Sequence, residues 1–375
     1  FKKAVSMLKE YKTLLKKFIK YNMKNNKSPI IHLIHLPKTA GNSIWRELIN
    51  NCENNTDEPN RIIKADTRAI LDNEYFEKIF SNSYRECKDE IHQIYEPMLP
   101  LGIMANKELN SKLKNKNLFV NHKILIHHHC SGSLILPIEL TRIFGNLNLK
   151  FPIFLKKEIE TCSHSWDHMN SPSIYVFTLR DTFQRTISHL RHIYKRRKHF
   201  FDNNWKTGND HDFVPKNRRP IFQILILKFI NKEITENEAI NWGIEMMPEL
   251  ATYQLRYILT MTCSKNPRDT QSIMWEISNQ KVINLWNQNY KGIRKFLLRK
   301  NLGAVFLNSK KEFILNQDFK NFLNSYYGVS KFKVKQVWKG TVSKVIDPKL
   351  LKIDNPFFRK YASLELSYLK KLFQC

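Results

Sequence analysis

The stretch "IIHLIHLPKTAGNSIWREL" (residues 30–48) decides how the chain is read. Its first seven residues, Ile30–Leu36, are mostly apolar and predict a buried strand. Pro37 ends the run, and Ile44, Trp45, Leu48 and Ile49 then recur on one side of a predicted helix. Between strand and helix stands Lys-Thr-Ala-Gly-Asn-Ser, which holds one cation, one glycine and three small polar side chains. Backbone N–H groups, hydroxyls and a cation gathered where a helix begins are how proteins hold phosphate-like anions. This is not a Walker loop, because no G-x-x-x-x-G-K-[ST] can be read here.

The same alternation recurs downstream. "KILIHHH" (123–129) predicts a second strand, and "SIYVFTL" (173–179) a third, β-branched and aromatic. The third runs into "RDTFQRTISHLRHIYKRR", where Phe183, Ile187, Leu190 and Tyr194 fall at helical intervals. Asp181 with Gln184 three residues on resembles a capping box for that helix. "AVFLN" (304–308) is a late strand, followed by a helix carrying Phe319, Phe322, Leu323 and Tyr326 with Gly328 as its C-cap. Strands alternating with helices predict an α/β fold with a mostly parallel sheet. Residues 53–115 are polar and give no clear element, and 198–240 reads as a long insertion with a basic, Asn-rich front half.

Bulk composition sets outer bounds. With 375 residues, 42% apolar and 26% charged, the chain is globular. No run approaches the ~18 apolar residues of a membrane span. The balance of 62 Lys+Arg against 34 Asp+Glu, a formal +28, favours acidic partners, although a Lys/Asn-rich composition alone supplies part of it. The six cysteines are widely spaced without C-x-x-C, which argues against a zinc site or a dense disulfide frame. Residues 1–28 form a basic extension or linker, read as a solvated extension, a stem or a surface-bound helix that would associate with a membrane. Residues 29–375 are read as one α/β domain.

Taken together, the two strand-to-helix junctions are more informative than either alone. The first offers Lys38, Thr39, Gly41, Asn42 and Ser43; the second has Arg180 at a strand tip and Ser188 two helical turns on. Ligands of open α/β sheets sit beyond the carboxyl ends of the strands. Two such junctions on neighbouring strands would grip a ligand with two anionic groups, Arg180 through a bidentate contact.

On these residues the chain resembles the carbohydrate sulfotransferases that use 3′-phosphoadenosine 5′-phosphosulfate. "HLPKTAGNS" looks like their 5′-phosphosulfate loop, usually PKTGGTS, with Ala40 and Asn42 in place of Gly and Thr. "YVFTLRDTFQRTISHL" looks like their 3′-phosphate motif, an Arg-Asp pair followed by a Ser eight residues after the Arg, with Thr182 where Pro is usual. "GAVFLNSKKEFILNQDFKNFLNSYYGV" is similar to the family's late strand and helix. The group it resembles is the membrane-associated polysaccharide type, similar to the heparan 2-O-sulfotransferases and their bacterial relatives, over roughly residues 30–330. The resemblance implies a P-loop-like, three-layer α/β/α fold elaborated by helical insertions. It also implies in-line transfer of a sulfonate group to a carbohydrate hydroxyl, without a metal.

On that reading Lys38 stabilises the leaving phosphate, Thr39, Gly41, Asn42 and Ser43 hold the 5′ end, and Arg180 and Ser188 hold the 3′-phosphate. A base must remove the acceptor proton. "IHHHCSG" (126–132) resembles the family's His-Gly-His segment, which nominates His129 first and His127 second. His128 stands where the family has Gly, so the register leaves it open as well. A structural or solvent-facing histidine tract is the competing reading. His32 and His35 read as core histidines within the first strand. "VWKGTVSK" (337–344) looks like a loop closing over the nucleotide, through Lys339, Gly340 and Thr341.

The expected partner is a carbohydrate acceptor, acidic if the basic block 185–219 guides it, and not nucleic acid. A kinase-like phosphotransferase and a basic nucleic-acid-binding protein are the alternatives. The first lacks an acidic metal-binding motif; the second needs base-stacking aromatics in the basic runs. The expected compartment is a microbial cytoplasm, with a Golgi lumen enzyme anchored outside this sequence as the alternative.

Overall fold

A computed structural model describes residues 29–55, 62–66, 123–129, 172–195, 214–263, 272–298, 302–308, 310, 312–332, 353 and 355–374. In chain order the elements are β1 (Ile30–His35), α1 (Gly41–Glu53), β2 (Ile62–Asp66), β3 (Lys123–His129), β4 (Ser173–Arg180) and α2 (Thr182–Lys195). A helical group follows: α3 (Arg219–Ile230), α4 (Glu236–Met246), α5 (Tyr253–Cys263) and α6 (Asn279–Leu298). The chain then adds β5 (Leu302–Leu307), β6 (Phe313–Leu315), α7 (Gln317–Tyr327) and α8 (Pro356–Phe373).

The six strands form one sheet in the order β2-β3-β1-β4-β5-β6, parallel except for β6. The protein is therefore α/β with a mostly parallel sheet, as the alternation predicts. Strand side chains alternate between two faces, and both faces are buried, which is why the strands read as nearly continuous apolar runs. Ile31, Leu33, Ile174 and Val176 pack with Ile44, Trp45 and Leu48 of α1 and Phe319 and Leu323 of α7. Ile34, Leu36, Tyr175, Phe177 and Leu179 pack on the other side with Ile187 and Leu190 of α2 and Phe373 of α8.

Local chemistry fixes the helix ends. Thr235 and Glu238 form a full capping box at α4, and Asn316 and Asn355 cap α7 and α8. Gly328 closes α7 in the left-handed region at φ 70°, where glycine avoids the Cβ clash. Within the stretch read as a long insertion, 219–230 lies behind its basic front half. There the chain forms α3, apolar along nearly its whole length, because "IFQILILKFI" outweighs the charges before it. Among the described residues no helix is long and apolar enough to cross a membrane. The expected N-terminal helix within residues 1–28 and most of 53–115 lie outside the described residues.

Candidate functional site

The sheet changes direction at β1. From β1 the chain goes through α1 to β2 and back to β3 on one side, then places β4 on the other side. The carboxyl ends of β1 and β4 thus flank a topological switch point, the place where open α/β sheets bind ligands. Both junctions singled out in the sequence lie there, on directly paired strands.

The loop after β1 is held from below by threonines. The Leu36 N–H donates to Thr178 Oγ1 (3.1 Å), and the Thr39 hydroxyl donates to the Leu36 carbonyl (2.6 Å). Thr39 and Thr178 hydroxyls also meet at 2.5 Å. The Thr39 side chain is wholly buried, so its hydroxyl ties the loop to β4. Above this anchor Lys38 and Ala40 both sit at φ 66°, left-handed backbone that costs a non-glycine residue about 1–2 kcal/mol. Ala40 stands where the loop it resembles usually has Gly, the residue that adopts this backbone without the Cβ penalty.

Ala40 is the N-cap of α1, and its carbonyl accepts from Ser43 (2.9 Å) and Ile44 (3.1 Å). Alanine brings no side-chain oxygen, so the helix starts without a side-chain cap on its first-turn donors. Those N–H groups and the positive end of the helix dipole face the switch point. Gly41 opens the helix because nothing larger fits: a Cβ there would lie 2.1 Å from His35 Cδ2. Asn42 is half-buried and Ser43 buried in the same turn.

Arg180 joins the two junctions. From the last position of β4 its Nη1 donates to the carbonyl of Lys38 at 3.2 Å. Its Nε is buried and has no protein hydrogen-bond partner. Burial, then the neighbouring Arg185 charge, lowers the guanidinium pKa to about 10 against the opposing pull of Asp181. The group stays cationic at neutral pH. Its backbone is gripped by Gln254 on α5, which donates to the Arg180 carbonyl (2.9 Å) and accepts from its N–H (3.0 Å). Gln254 in turn leans on Glu365 of α8, a fully buried carboxylate. Glu365 accepts from the Gln254 N–H (2.7 Å), the Leu255 N–H (3.1 Å) and the Thr182 hydroxyl (2.6 Å).

Asp181 begins α2 by accepting from the Gln184 N–H at 3.0 Å, the forward half of the predicted capping box. Ser188 follows on α2 and is half-buried. Arg185, one turn in, is wholly buried over the Tyr253 ring and donates to the Leu250 carbonyl (3.1 Å). It serves the packing of α2 against the helical group.

The histidines separate. His127 is sealed within the α1 face: its Nε2 and His35 Nδ1 are 3.2 Å apart, and its ring stacks near Trp45 at 5.0 Å. His35, read as a core residue, is indeed buried and completes that pair. His32 stacks on Tyr175 at 4.3 Å, on the other face. His129 stands at the carboxyl end of β3, in register with His35, and His128 with Ile34. The side chains of His128 and His129 lie outside the described residues, as do Lys339, Gly340 and Thr341.

Four residues that hold this constellation were not singled out in sequence as site residues: His35, Thr178, Gln254 and Glu365. Thr178 stands two before Arg180 on the same strand, a signal that period-2 reading offers. Gln254 and Glu365 lie 74 residues from Arg180 and 111 from Gln254 respectively, and no local pattern points to them. A cavity of about 410 Å³ opens elsewhere, at the amino ends of β4 and β5 against α7, and shares no residue with this site. Compared with family models, curated proteins and solved structures, the chain finds no match.

Proposed function

We propose that the protein is a sulfotransferase. It moves a sulfonate group from 3′-phosphoadenosine 5′-phosphosulfate to a carbohydrate hydroxyl on a P-loop-like α/β scaffold. The observation that carries this reading is the Arg180–Lys38 contact, which welds two anion-holding junctions together at the switch point. A ligand with a phosphate at each end of a nucleoside matches that spacing of functions better than a ligand with one. The residues fit the cosubstrate in kind: a helix start without a side-chain cap, a lysine, and a buried guanidinium with a donor left over.

The cosubstrate supplies an activated sulfonate. The Lys38 ammonium and the first-turn N–H groups of α1 neutralise charge gathering on the departing phosphate oxygen. Asn42 and Ser43 hold the 5′ end, Gly41 lets the backbone approach, and Thr39 acts from beneath by fixing the loop. Arg180 and Ser188 take the 3′-phosphate. As the acceptor oxygen bonds to sulfur and the sulfur–oxygen bond to the phosphate breaks, a base takes the acceptor proton. His129 is assigned that role, since it ends β3 beside the switch point while His127 is sealed under Trp45.

Calorimetric titration with 3′-phosphoadenosine 5′-phosphate, against 5′-AMP and ATP, tests the reading. Clear preference for the 3′-phosphorylated nucleotide is expected. Equal or absent binding overturns it.

A further inference from the structure

The cavity between α7 and the amino ends of β4 and β5 lies on the edge of the sheet opposite the candidate site. On β4, Ile174 at the cavity and Arg180 at the site stand ~20 Å apart at the rise of a strand. The cavity holds about 410 Å³, within the range of small-molecule sites, about 300–1,000 Å³. Its floor includes the buried Ile174 and Leu302. Its wall is α7, through Asp318, Asn321, Phe322, Ser325 and Tyr326. At 100° per residue these five fall within about 140° of one another on the helix.

The polar groups of this wall differ in kind. The Asp318 carboxylate only accepts hydrogen bonds, while the Ser325 and Tyr326 hydroxyls donate and accept. Gln317 Nε2 donates to Asn321 Oδ1 at 2.8 Å, which turns Asn321 to use as a donor through its N–H groups. Tyr326 is 42% exposed, and its ring centroid lies 4.7 Å from that of Phe322 at a tilt of 47°. A carboxylate in the first turn of a helix is favoured by the dipole, and that accounts for Asp318. It does not account for an amide, a hydroxyl and an exposed tyrosine ranged behind it over the same cavity.

We propose that this cavity binds a neutral saccharide unit. The inference does not rest on the sulfotransferase reading, whose residues all lie at the other edge of the sheet. Charge excludes an anion. On a chain of net charge +28, Asp318 is the one charged residue among the described residues lining the cavity. Lys320, the cation of α7, lies on the opposite side of the helix. Hydrogen-bond capacity then favours sugar hydroxyls, which both donate and accept, over a small ammonium, which Asp318 would hold but the Asn321 N–H groups would oppose. The apolar floor and the exposed Tyr326 ring suit the C–H faces of a pyranose. The tilt between the Phe322 and Tyr326 rings offers a flat base no parallel slot.

The experiment is saturation-transfer NMR titration of the full chain with maltose, cellobiose, lactose, mannobiose and chitobiose, beside choline and adenosine. At least one disaccharide is expected to bind, and to bind more tightly than choline or adenosine. Tyr326→Ala should weaken that binding roughly 3–10-fold, the worth of one aromatic contact, and Asp318→Ala should weaken it too. Lys320→Ala, across the helix, should bind as wild type does. Asp318, Lys320 and Tyr326 are all exposed, and circular dichroism checks that the variants are folded. Tyr326→Ala should also bind 3′-phosphoadenosine 5′-phosphate as wild type does, so the two sites fail or stand separately. If no disaccharide binds, or choline or adenosine binds more tightly, the proposal fails. It fails equally if Tyr326→Ala and Asp318→Ala keep the wild-type affinity, which would put the sugar elsewhere on the chain.

Discussion

Arg180 donates from Nη1 to the carbonyl oxygen of Lys38 at 3.2 Å, across 142 residues of sequence. The donor ends one strand and the acceptor lies in the loop after its neighbour, at a residue whose φ is 66°. The carbonyl that accepts from the guanidinium thus belongs to one of the loop's two left-handed residues. The strained loop and the strand-end cation are therefore in direct contact.

Arg180→Ala should weaken binding of 3′-phosphoadenosine 5′-phosphate by roughly 10–100-fold, the worth of one or two charge-assisted hydrogen bonds. Arg180→Lys should recover little of it, because an ammonium keeps the charge but cannot reach Lys38 and a phosphate together. Calorimetry on the two variants checks this. A dissociation constant unchanged in both rejects the contact.

Ala40→Gly should stabilise the protein by about 1 kcal/mol, since glycine adopts φ 66° without the Cβ penalty that alanine bears. Gly41→Ala, one residue on, should destabilise it by ~2 kcal/mol or more. Its Cβ would strike the His35 ring, which is itself bonded to His127. Urea unfolding of the pair gives both signs. A destabilised Ala40→Gly would mean the methyl group makes packing contacts that outweigh the strain.

The fold was legible because its strands are buried on both faces and so stand out as apolar runs: residues 30–35 of the first run, 123–129 and 173–179 all fall on strands. Strand β2 was not legible, since "IIKAD" is short and mixed. Helix α3 was not picked out because the basic, Asn-rich front half of 198–240 drew the reading, although eight of the ten residues 221–230 are apolar. At the sheet's carboxyl edge, the placement of Lys38, Gly41 and Arg180 at strand ends was legible from local chemistry. The bond between the Thr39 and Thr178 hydroxyls, across 139 residues, was not legible, because a threonine in a polar loop reads only as a ligand contact. Gln254 and Glu365 act through a similar long-range closure, which no window of sequence contains.

Cys52 lies buried on the inner face of α1, with its thiol pushed up to about 12, chiefly by burial and against the pull of Lys123. At pH 8 it holds roughly a thousandfold less thiolate than an exposed cysteine. Iodoacetamide should therefore leave Cys52 unlabelled in the native protein and label it in urea, as peptide mass spectrometry would read. Labelling at the native rate of a free thiol would place α1 in frequent opening.

The histidines and Lys38 separate chemistry from packing. Lys38→Ala should lower sulfonate transfer on the order of 10²–10³-fold with nucleotide binding weakened less, because its charge matters most as the phosphate leaves. Lys38→Gly controls for the backbone: it removes the same side chain while relieving φ 66°, so activity should fall as far although stability rises. His129→Ala should lower turnover about 10²–10⁴-fold with nucleotide affinity intact, the signature of a lost base. His127→Ala should do the reverse. Removing a ring packed between His35 and Trp45 opens a cavity costing ~2–4 kcal/mol, and turnover per folded molecule should change little. Labelled-sulfate transfer, normalised to the folded fraction, distinguishes these outcomes. If His127→Ala abolishes turnover while its folded fraction is normal, the base lies inside the sheet and the ring must leave Trp45 to act. If His128→Ala alone does so, the strand places its functional side chain one residue earlier than assigned.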